Sequence, residues 1–360
     1  QDIYLFNCKN GTLDLRTMEF REHRPEDFLT KVSPVIYAPD ADCPRWRTFI
    51  TEIMQGDKAR ADYLQKAIGY SLTGDTRMEC LFILYGPTSR NGKGTTMESI
   101  LRIMGEYGKN ADPTMLQAKF NSQSGGPSEE IARLAGSRFV NISEPEKKIT
   151  LDAALTKRLT GNDTITARYL HENSFEFRPN FKIFINTNHR PNITDLTLFE
   201  SGRIKIIPFD RHFEENEQDK DLKSTFAKPE NMSGILNWML EGYKLFRSQG
   251  LAMPDSVVQA TTDYQIFSDK MGQFFDECIE EKEGCELRRG AVYTRYKEWC
   301  GENGYRAEAA KNLNQEIEKR YKTARKRPND GASSSTTPMV LDVAFTASEE
   351  SKEDFAPLTS

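Results

Sequence analysis

The sequence predicts an α/β fold built on a parallel sheet, and three stretches predict it. Leu81 to Met97 reads LFILYGPTSRNGKGTTM: an apolar run, a glycine-bounded loop and a helix start. Phe139, Val140 and Ile142 in RFVNISEPE make a second apolar strand, and FKIFINTN, ending at Asn188, a third. Short apolar runs bounded by turn residues suit strands covered on both faces, which is the environment inside a parallel sheet.

The loop of the first stretch carries chemistry. Gly86 lets the chain turn, and Gly92 lets the backbone approach an anion with no Cβ in the way. Between them lie Pro87, Thr88, Ser89, Arg90 and Asn91. Successive backbone N–H groups and the N-terminus of the next helix can point at phosphates, while Lys93 reaches the β/γ-phosphates and a hydroxyl ligates Mg²⁺. ATP with Mg²⁺ is the expected ligand. The pattern departs from the usual one: five residues separate the glycines where four are normal, and Gly94 follows the lysine where Ser or Thr is expected. The metal role therefore passes to Thr95, with Thr96 behind it. A glycine turn that binds nothing is the plain alternative, and the order of strand, loop and helix argues against it.

A chain of 360 residues predicts two or three domains. No apolar run is long enough to span a membrane and no signal-peptide pattern opens the chain, so a cytoplasmic protein is expected. Gln1 stands where an initiator Met is absent, which predicts a fragment of a longer protein. Six scattered cysteines, with no CxxC pair, read as reduced thiols. From Pro328 onward six acids face the single base Lys352, and this accounts for the whole net charge of −5. Any nucleic-acid contact must come from local clusters in the balanced remainder.

Taken in order, NCKNGTLDLRTMEFREH predicts a small hairpin around Asn10-Gly11. Trp46, Phe49, Ile50 and Ile53, then Tyr63, Leu64, Ala67 and Ile68, fall at helical spacing and read as core. After the helix that starts near Thr95, Asn121 to Ser128 is a glycine- and serine-rich loop, equally a partner contact or an ordinary surface loop. NISEPE ends a strand with carboxylates. A strand beside the phosphate loop can bring an acid to the metal and the attacking water, and Glu144 is the first choice, Glu146 the second. ITARYL and SFEF predict a hairpin with the tip His171-Glu172-Asn173 and with Phe175 and Phe177 on one face. Asn188 either contacts a γ-phosphate or attacking water, or caps the turn before Pro191. Arg203 stands before the strand in GRIKIIPF: a solvated surface charge or, in a ring ATPase, a finger for the neighbour's phosphate. Ile235 to Phe246 predicts an amphipathic helix with Trp238 in the core, and further helical patterns follow in FSDKMGQFFDECIEE and GAVYTRYKEWCGENGY. The basic run Lys319 to Arg327 is either a DNA contact or a solvated face. Residues 328–360, Ser/Thr-rich and acidic, predict disorder.

GPTSRNGKGTT, NISEPE, LTGNDTITARYL, FINTNHRP and GRIKIIPF, in this order and spacing, resemble the superfamily 3 helicases. Among these the chain looks most like the phage and plasmid primase-helicases, which are related to the poxvirus primase-helicase. The resemblance implies an AAA+ P-loop ATPase core that forms a hexameric ring, hydrolyses ATP between subunits and moves single-stranded DNA through its channel, unwinding forked DNA. It implies Walker A roles for Lys93 and Thr95, a Walker B role for Glu144, a sensor role for Asn188 and a finger role for Arg203. It makes the hairpin with Arg168 and His171, and nearby Lys157, the DNA grip. It also implies an upstream primase or polymerase domain and a bacteriophage or plasmid source, hence the host cytoplasm.

The expected divisions are 1–75, a hairpin plus helical domain; 76–212, the AAA+ core; 213–262, a helical extension; 263–327, a winged-helix-like module; and 328–360, the tail. Two alternatives stay open: a ring-forming DNA-binding or loading protein that does not unwind, and a nucleoside-phosphate kinase, since GKGT also occurs in adenylate-kinase-like loops. Neither an acceptor site nor an arginine-rich lid is visible for the kinase.

Overall fold

The opening residues pair as the hairpin reading expects and add a third strand. The computed structural model describes residues 2–118, 129–143, 149–305, 307–326 and 336–346. Strands β1 (Leu5–Cys8) and β2 (Gly11–Asp14) meet with Cys8 opposite Gly11, and β3 (Glu19–Arg21) pairs with β2. Helices α1 (Pro44–Ile53) and α2 (Lys58–Tyr70) follow. Pro44 supplies the first position of α1, where a missing N–H costs nothing, and the Asp57 carboxylate caps α2 by accepting from Arg60 N. The apolar stripes of both helices are buried as their spacing predicts.

The sheet comes next. In chain order it is β4 (Leu81–Tyr85), α3 (Lys93–Met104), β5 (Gly108–Ala111), α4 (Glu129–Ala132), β6 (Phe139–Ser143), α5 (Ala153–Thr160), the hairpin β7 (Ile165–Ala167) and β8 (Phe175–Phe177), β9 (Lys182–Thr187), α6 (Thr197–Glu200) and β10 (Ile204–Pro208). Five strands are parallel, in the order β10-β4-β9-β6-β5. Alternate residues of each strand feed two cores. Phe82, Leu84, Phe139 and Phe184 face the core built with α1, α2 and α3, while Leu81, Ile83, Val140, Ile142, Ile183 and Ile185 face the other. Across the sheet Phe82, Phe184 and Phe139 stack at 4.8 and 4.7 Å between centroids, a ladder of rings that helps fix β9 between β4 and β6. β9 separates β6 from β4, so with strands spaced about 4.8 Å apart β6 lies about 10 Å from β4.

Beyond the sheet run α7 (Leu222–Phe226), α8 (Pro229–Gln249) and α9 (Asp255–Ser268). Trp238 is core, as expected; it meets Trp46 edge-on at 5.5 Å, and its carbonyl accepts from Gln65 Nε2 at 2.9 Å. Two buried basic side chains tie the starts of β6 and β9 to the segment after α2 and to β1. Arg138 donates to Leu72 O at 2.6 Å and Leu5 O at 2.7 Å, and Lys182 donates to the carbonyls of Thr73 and Asp75. Burial lowers the Arg138 guanidinium to about 10 and pushes the Lys182 amine well below its ordinary value.

Residues 1–268 form one compact unit and 269–360 a second. The expected divisions at 75 and 212 fall inside the first. The second contains α10 (Lys270–Cys278), β11 (Ile279–Arg288), α11 (Arg289–Glu302), α12 (Ala310–Arg320), β12 (Thr323–Lys326) and β13 (Thr337–Phe345), with an antiparallel sheet ordered β11-β13-β12. Two expectations are corrected here. The helical pattern read through Glu281 stops at Cys278, because Glu280 and Glu281 pair with Ala344 and Val343. The stretch 328–360 is not disordered throughout: β13 is the central strand of this sheet, with Val340 and Val343 buried against Phe274 and Tyr296. The rest of that stretch, apart from residues 336 and 346, lies outside the described residues, as does the loop Asn121 to Ser128.

Candidate functional site

β4 sits between β10 and β9, so the loop that leaves its end is framed by the ends of both neighbours. Gly86 N donates to Thr187 O at 3.4 Å, and Phe209 N donates to Tyr85 O at 2.7 Å. A Cβ on Gly86 would lie 2.3 Å from Phe209 O and 2.4 Å from Asn91 Nδ2, so only glycine fits. Gly92 has φ +86°, and a Cβ there would lie 2.4 Å from Ile53 Cγ2. Both glycines are therefore required by the fold, while the space around Gly94 is open to 4 Å. Between them, Arg90 is also left-handed at φ 58°. Asn91 Nδ2 donates to Thr88 O at 2.6 Å, and Phe213 N donates to Arg90 O at 2.9 Å.

Lys93 opens α3 and is 2% exposed. Its Nζ donates to Asn188 Oδ1 at 2.7 Å and to Gly86 O at 3.3 Å. The ammonium is thus held where the loop, β9 and the helix N-terminus converge. Thr187 ties the turn before Pro191, its Oγ1 accepting from His189 N at 2.9 Å. The two hydroxyls after Gly94 differ. Thr96 is buried and donates to Gly92 O at 2.9 Å, whereas the half-buried Thr95 hydroxyl bonds to no other described residue. Glycines that admit no Cβ, a convergent ammonium and an open hydroxyl fit a nucleotide phosphate with its cation.

Glu144 and Glu146 lie outside the described residues. The last described residue before them, Ser143, pairs with Asn186 on β9, and its Oγ accepts from Asn141 Nδ2 at 2.8 Å.

Arg203 is placed at the far end of the sheet. Its carbonyl accepts from Leu81 N at 2.8 Å, at the start of β4, about 15 Å of strand away from the loop. Its guanidinium donates to Glu79 Oε2 at 2.8 Å, to Thr160 Oγ1 at 2.9 Å and to Glu79 O at 3.3 Å. Glu79 holds this pose in a left-handed backbone, φ 45°. Arg203 therefore cannot reach the phosphate loop of its own chain.

The hairpin is present with a longer tip than expected. β7 and β8 pair from Ile165 opposite Phe177 to Ala167 opposite Phe175, and the tip spans 168–174. Phe175 and Phe177 share a face, as predicted, at 5.9 Å. Tyr169 stacks on Phe175 and donates to Ala132 O at 3.0 Å. Arg168, Leu170 and His171 are exposed, Leu170 at 67%, with His171 at φ 64°. Lys157 is engaged elsewhere: its Nζ donates to Asp195 Oδ2 at 2.9 Å and Thr197 Oγ1 at 2.7 Å. Burial opposes the Asp195 charge, yet the bonds from Thr197 and Lys157 hold its carboxyl below the usual range.

Sequence reasoning missed three features. A cavity of about 260 Å³ adjoins the loop at Gly92 and Thr95, with Phe49, Phe213 and Leu222 as apolar wall and a polar side of mixed charge, Arg45 and Arg90 beside Glu52, Glu217 and Asp219. Its residues come from α1, the loop after β4, α3, α7 and the loop after β10, so no local pattern announces it. Arg190 lies over the rings of Tyr85 at 4.9 Å, Phe267 at 5.2 Å and Tyr264 at 5.5 Å, linking the end of β4 to α9. Its position two residues after Asn188 was the available signal. In the basic run, Lys319 pairs with Glu316 at 2.5 Å, Arg320 with Asp269 at 3.0 Å, and Lys326 with Glu286.

Three family models match the chain: D5 N terminal like over residues 1–55, a family of unknown function over 84–203, and Poxvirus D5 protein-like over 267–346. Among curated proteins, one bearing a helicase name from Acanthamoeba polyphaga mimivirus is 28% identical over 326 residues, covering 84% of this chain and 33% of its own length. Similarly named proteins of Frog virus 3 (25%) and Invertebrate iridescent virus 3 (24%) cover 81% and 82% of the chain, and 30% and 34% of their own lengths. The chain thus spans about a third of the length of the curated relatives it matches. Two apo structures of the NrS-1 C-terminal region share the fold, with TM-scores of 0.52 and 0.51 at 13% and 14% identity. Each alignment covers 86% of this chain, and 78% and 77% of the respective neighbour.

Proposed function

We infer, for a chain related to the D5-like primase-helicases, that it is the ATP-hydrolysing motor of a viral DNA helicase. The observation that carries this is the meeting of Lys93 Nζ and Asn188 Oδ1 at a glycine loop whose shape no other residue would allow. In this reading the core is AAA+, and the β- and γ-phosphates lie against the loop N–H groups and Lys93. The purine and ribose occupy the cavity walled by Phe49, Phe213 and Leu222. Thr95 and Glu144 would hold Mg²⁺, which would neutralise charge on the phosphates. Glu144 orients the attacking water, and Asn188 aligns that water or the γ-phosphate.

Arg203 completes the site of a neighbouring subunit. The loop holds the nucleotide from one side, so a neighbour must close it, and repeated head-to-tail contacts close into a ring, taken as a hexamer. Six hairpins then present Arg168, His171 and Leu170 to one strand, with stacking and phosphate contacts summed around the ring. Lys157, already paired with Asp195, plays a lesser part. The second unit, with two helices between its first and second strands, is read as a winged-helix-like module for duplex DNA, with an upstream primase or polymerase domain in the whole protein.

One observation favours a second reading. Arg203 is held by Glu79 and Thr160 of its own chain, as suits a ring that binds ATP to assemble or load and turns over little. Mixing tests both. Lys93→Ala and Arg203→Ala proteins should each be inactive alone, and mixed they should recover part of the ATP turnover, because some interfaces pair an intact loop with an intact finger. No recovery on mixing, with both proteins folded, removes the shared site.

A further inference from the structure

At the end of β4 opposite the phosphate loop, a cleft of about 490 Å³ is lined by Tyr4, Arg16, Arg77, Tyr243, Phe246 and Arg247, and no carboxylate is among its lining residues. The three arginines are not equally engaged. Arg16 lies over the Tyr4 ring at 4.5 Å and spends its fork on Asp2, at 2.7 and 2.8 Å. Arg77 donates through Nε to Asp75 and through Nη2 to Tyr4 Oη at 3.3 Å, while its Nη1 bonds to no described residue. Arg247 has no acidic partner among the described residues. Its Nη1 donates to Arg16 O at 2.7 Å and Leu15 O at 3.3 Å, and its Nε and Nη2 bond to none of them. Behind the wall, buried Arg138 adds a fourth cation, its Nη2 donating to Asp2 O at 3.3 Å. Four guanidinium groups thus stand against three carboxylates, Asp2, Asp14 and Asp75, over a floor of buried Tyr243 and Phe246.

We propose that this cleft is a nucleic-acid contact separate from the hairpin, in which Arg247 and Arg77 hold the phosphates of a single strand. Arginine forks with unspent donors around an apolar floor match the alternation of phosphate and sugar along a strand. A compact anion would leave the floor unused. The cleft borders the core shared with α2 and α8, whereas the hairpin phenylalanines pack into the core of the other sheet face, so the two contacts are separate places on the subunit. The inference requires a polyanion and does not rest on ATP turnover.

The test is the anisotropy of a fluorescein-labelled oligothymidylate bound to the full chain, titrated from about 50 to about 200 mM salt. Arg247→Ala should weaken binding about fivefold to tenfold at the low end and reduce the log–log salt slope by about 0.7, one released phosphate contact. Arg247→Lys should restore most of the slope, and Arg247→Glu should weaken binding further. Should Arg247→Ala melt early because Leu15 and Arg16 lose a donor, Arg77→Gln makes the same comparison. An Arg168→Ala/His171→Ala protein separates the two contacts. Binding unchanged in the Arg247 and Arg77 variants but lost in the hairpin variant overturns the cleft and leaves the hairpin standing. Displacement of the strand by inorganic phosphate at equal phosphate concentration marks a small-anion pocket and overturns it as well.

Discussion

Gly92→Ala should destabilise the first unit by roughly 2–5 kcal/mol, a sum of two separate costs. At φ +86° the backbone is in the left-handed region, which costs an L-residue about 1–2 kcal/mol. The new methyl would also lie 2.4 Å from Ile53 Cγ2 and 3.2 Å from Phe49 Cζ, and overfilling such a site costs about 1–3 kcal/mol. Ile53 is wholly buried and cannot swing away, so the loop must move, and Asn91 and Lys93 move with it. Gly94→Ala is the control. A Cβ there meets nothing within 4 Å, and alanine is the better helix former by up to about 1 kcal/mol. Urea unfolding should lower the midpoint for Gly92→Ala and leave it unchanged or raised for Gly94→Ala. A fluorescent ATP analogue should bind the Gly92 variant poorly. Equal midpoints for Gly92→Ala and the parent chain would refute the claim that the loop's shape depends on this glycine.

Asn188→Ala should keep ATP affinity within a few-fold and lower kcat by about 10²–10³, if the amide aligns the reacting groups; a defect confined to KM in steady-state kinetics contradicts that role. Lys182→Met strips the donor from the carbonyls of Thr73 and Asp75, at a cost of about 2–4 kcal/mol in urea unfolding. The same pair of proteins has a pH signature. Burial depresses the folded Lys182 pKa, so below the ordinary lysine value the unfolded chain carries a proton that the folded chain has released. Stability of the parent chain relative to Lys182→Met should therefore rise as pH climbs toward the ordinary lysine value, and a flat difference across that range would show that the amine stays protonated in the fold.

The strand, glycine-bounded loop and helix from Leu81 to Met97 were legible because their signals are local: five consecutive strand residues, two glycines and a lysine lie within seventeen positions. The helical stripes around Trp46 and Tyr63 and the shared face of Phe175 and Phe177 were legible for the same reason. Strand order was not. The place of β9 between β4 and β6 follows from pairings between residues such as Phe82 and Phe184, a hundred positions apart in sequence. β13 escaped because its inward residues Val340 and Val343 are three apart, with Asp342 at φ 57° between them, so no period of two shows, and because it sits in an acidic, Ser/Thr-rich stretch whose composition argues for disorder. The second unit's helix-to-strand change at Cys278 was hidden by glutamates, which suit an exposed strand as readily as a helix. Arg203 was singled out by its place before β10, but its bonds to Glu79 and Thr160 join three segments that no spacing rule connects. The cavity beside Thr95 and the arginine cleft are likewise assembled from distant segments.

ATP turnover by the purified chain, measured with and without a single DNA strand, tests the central claim most directly. The account predicts hydrolysis that rises severalfold when the strand is added and disappears in Lys93→Ala. Turnover that is indifferent to the strand, or that survives the loss of Lys93, would contradict it.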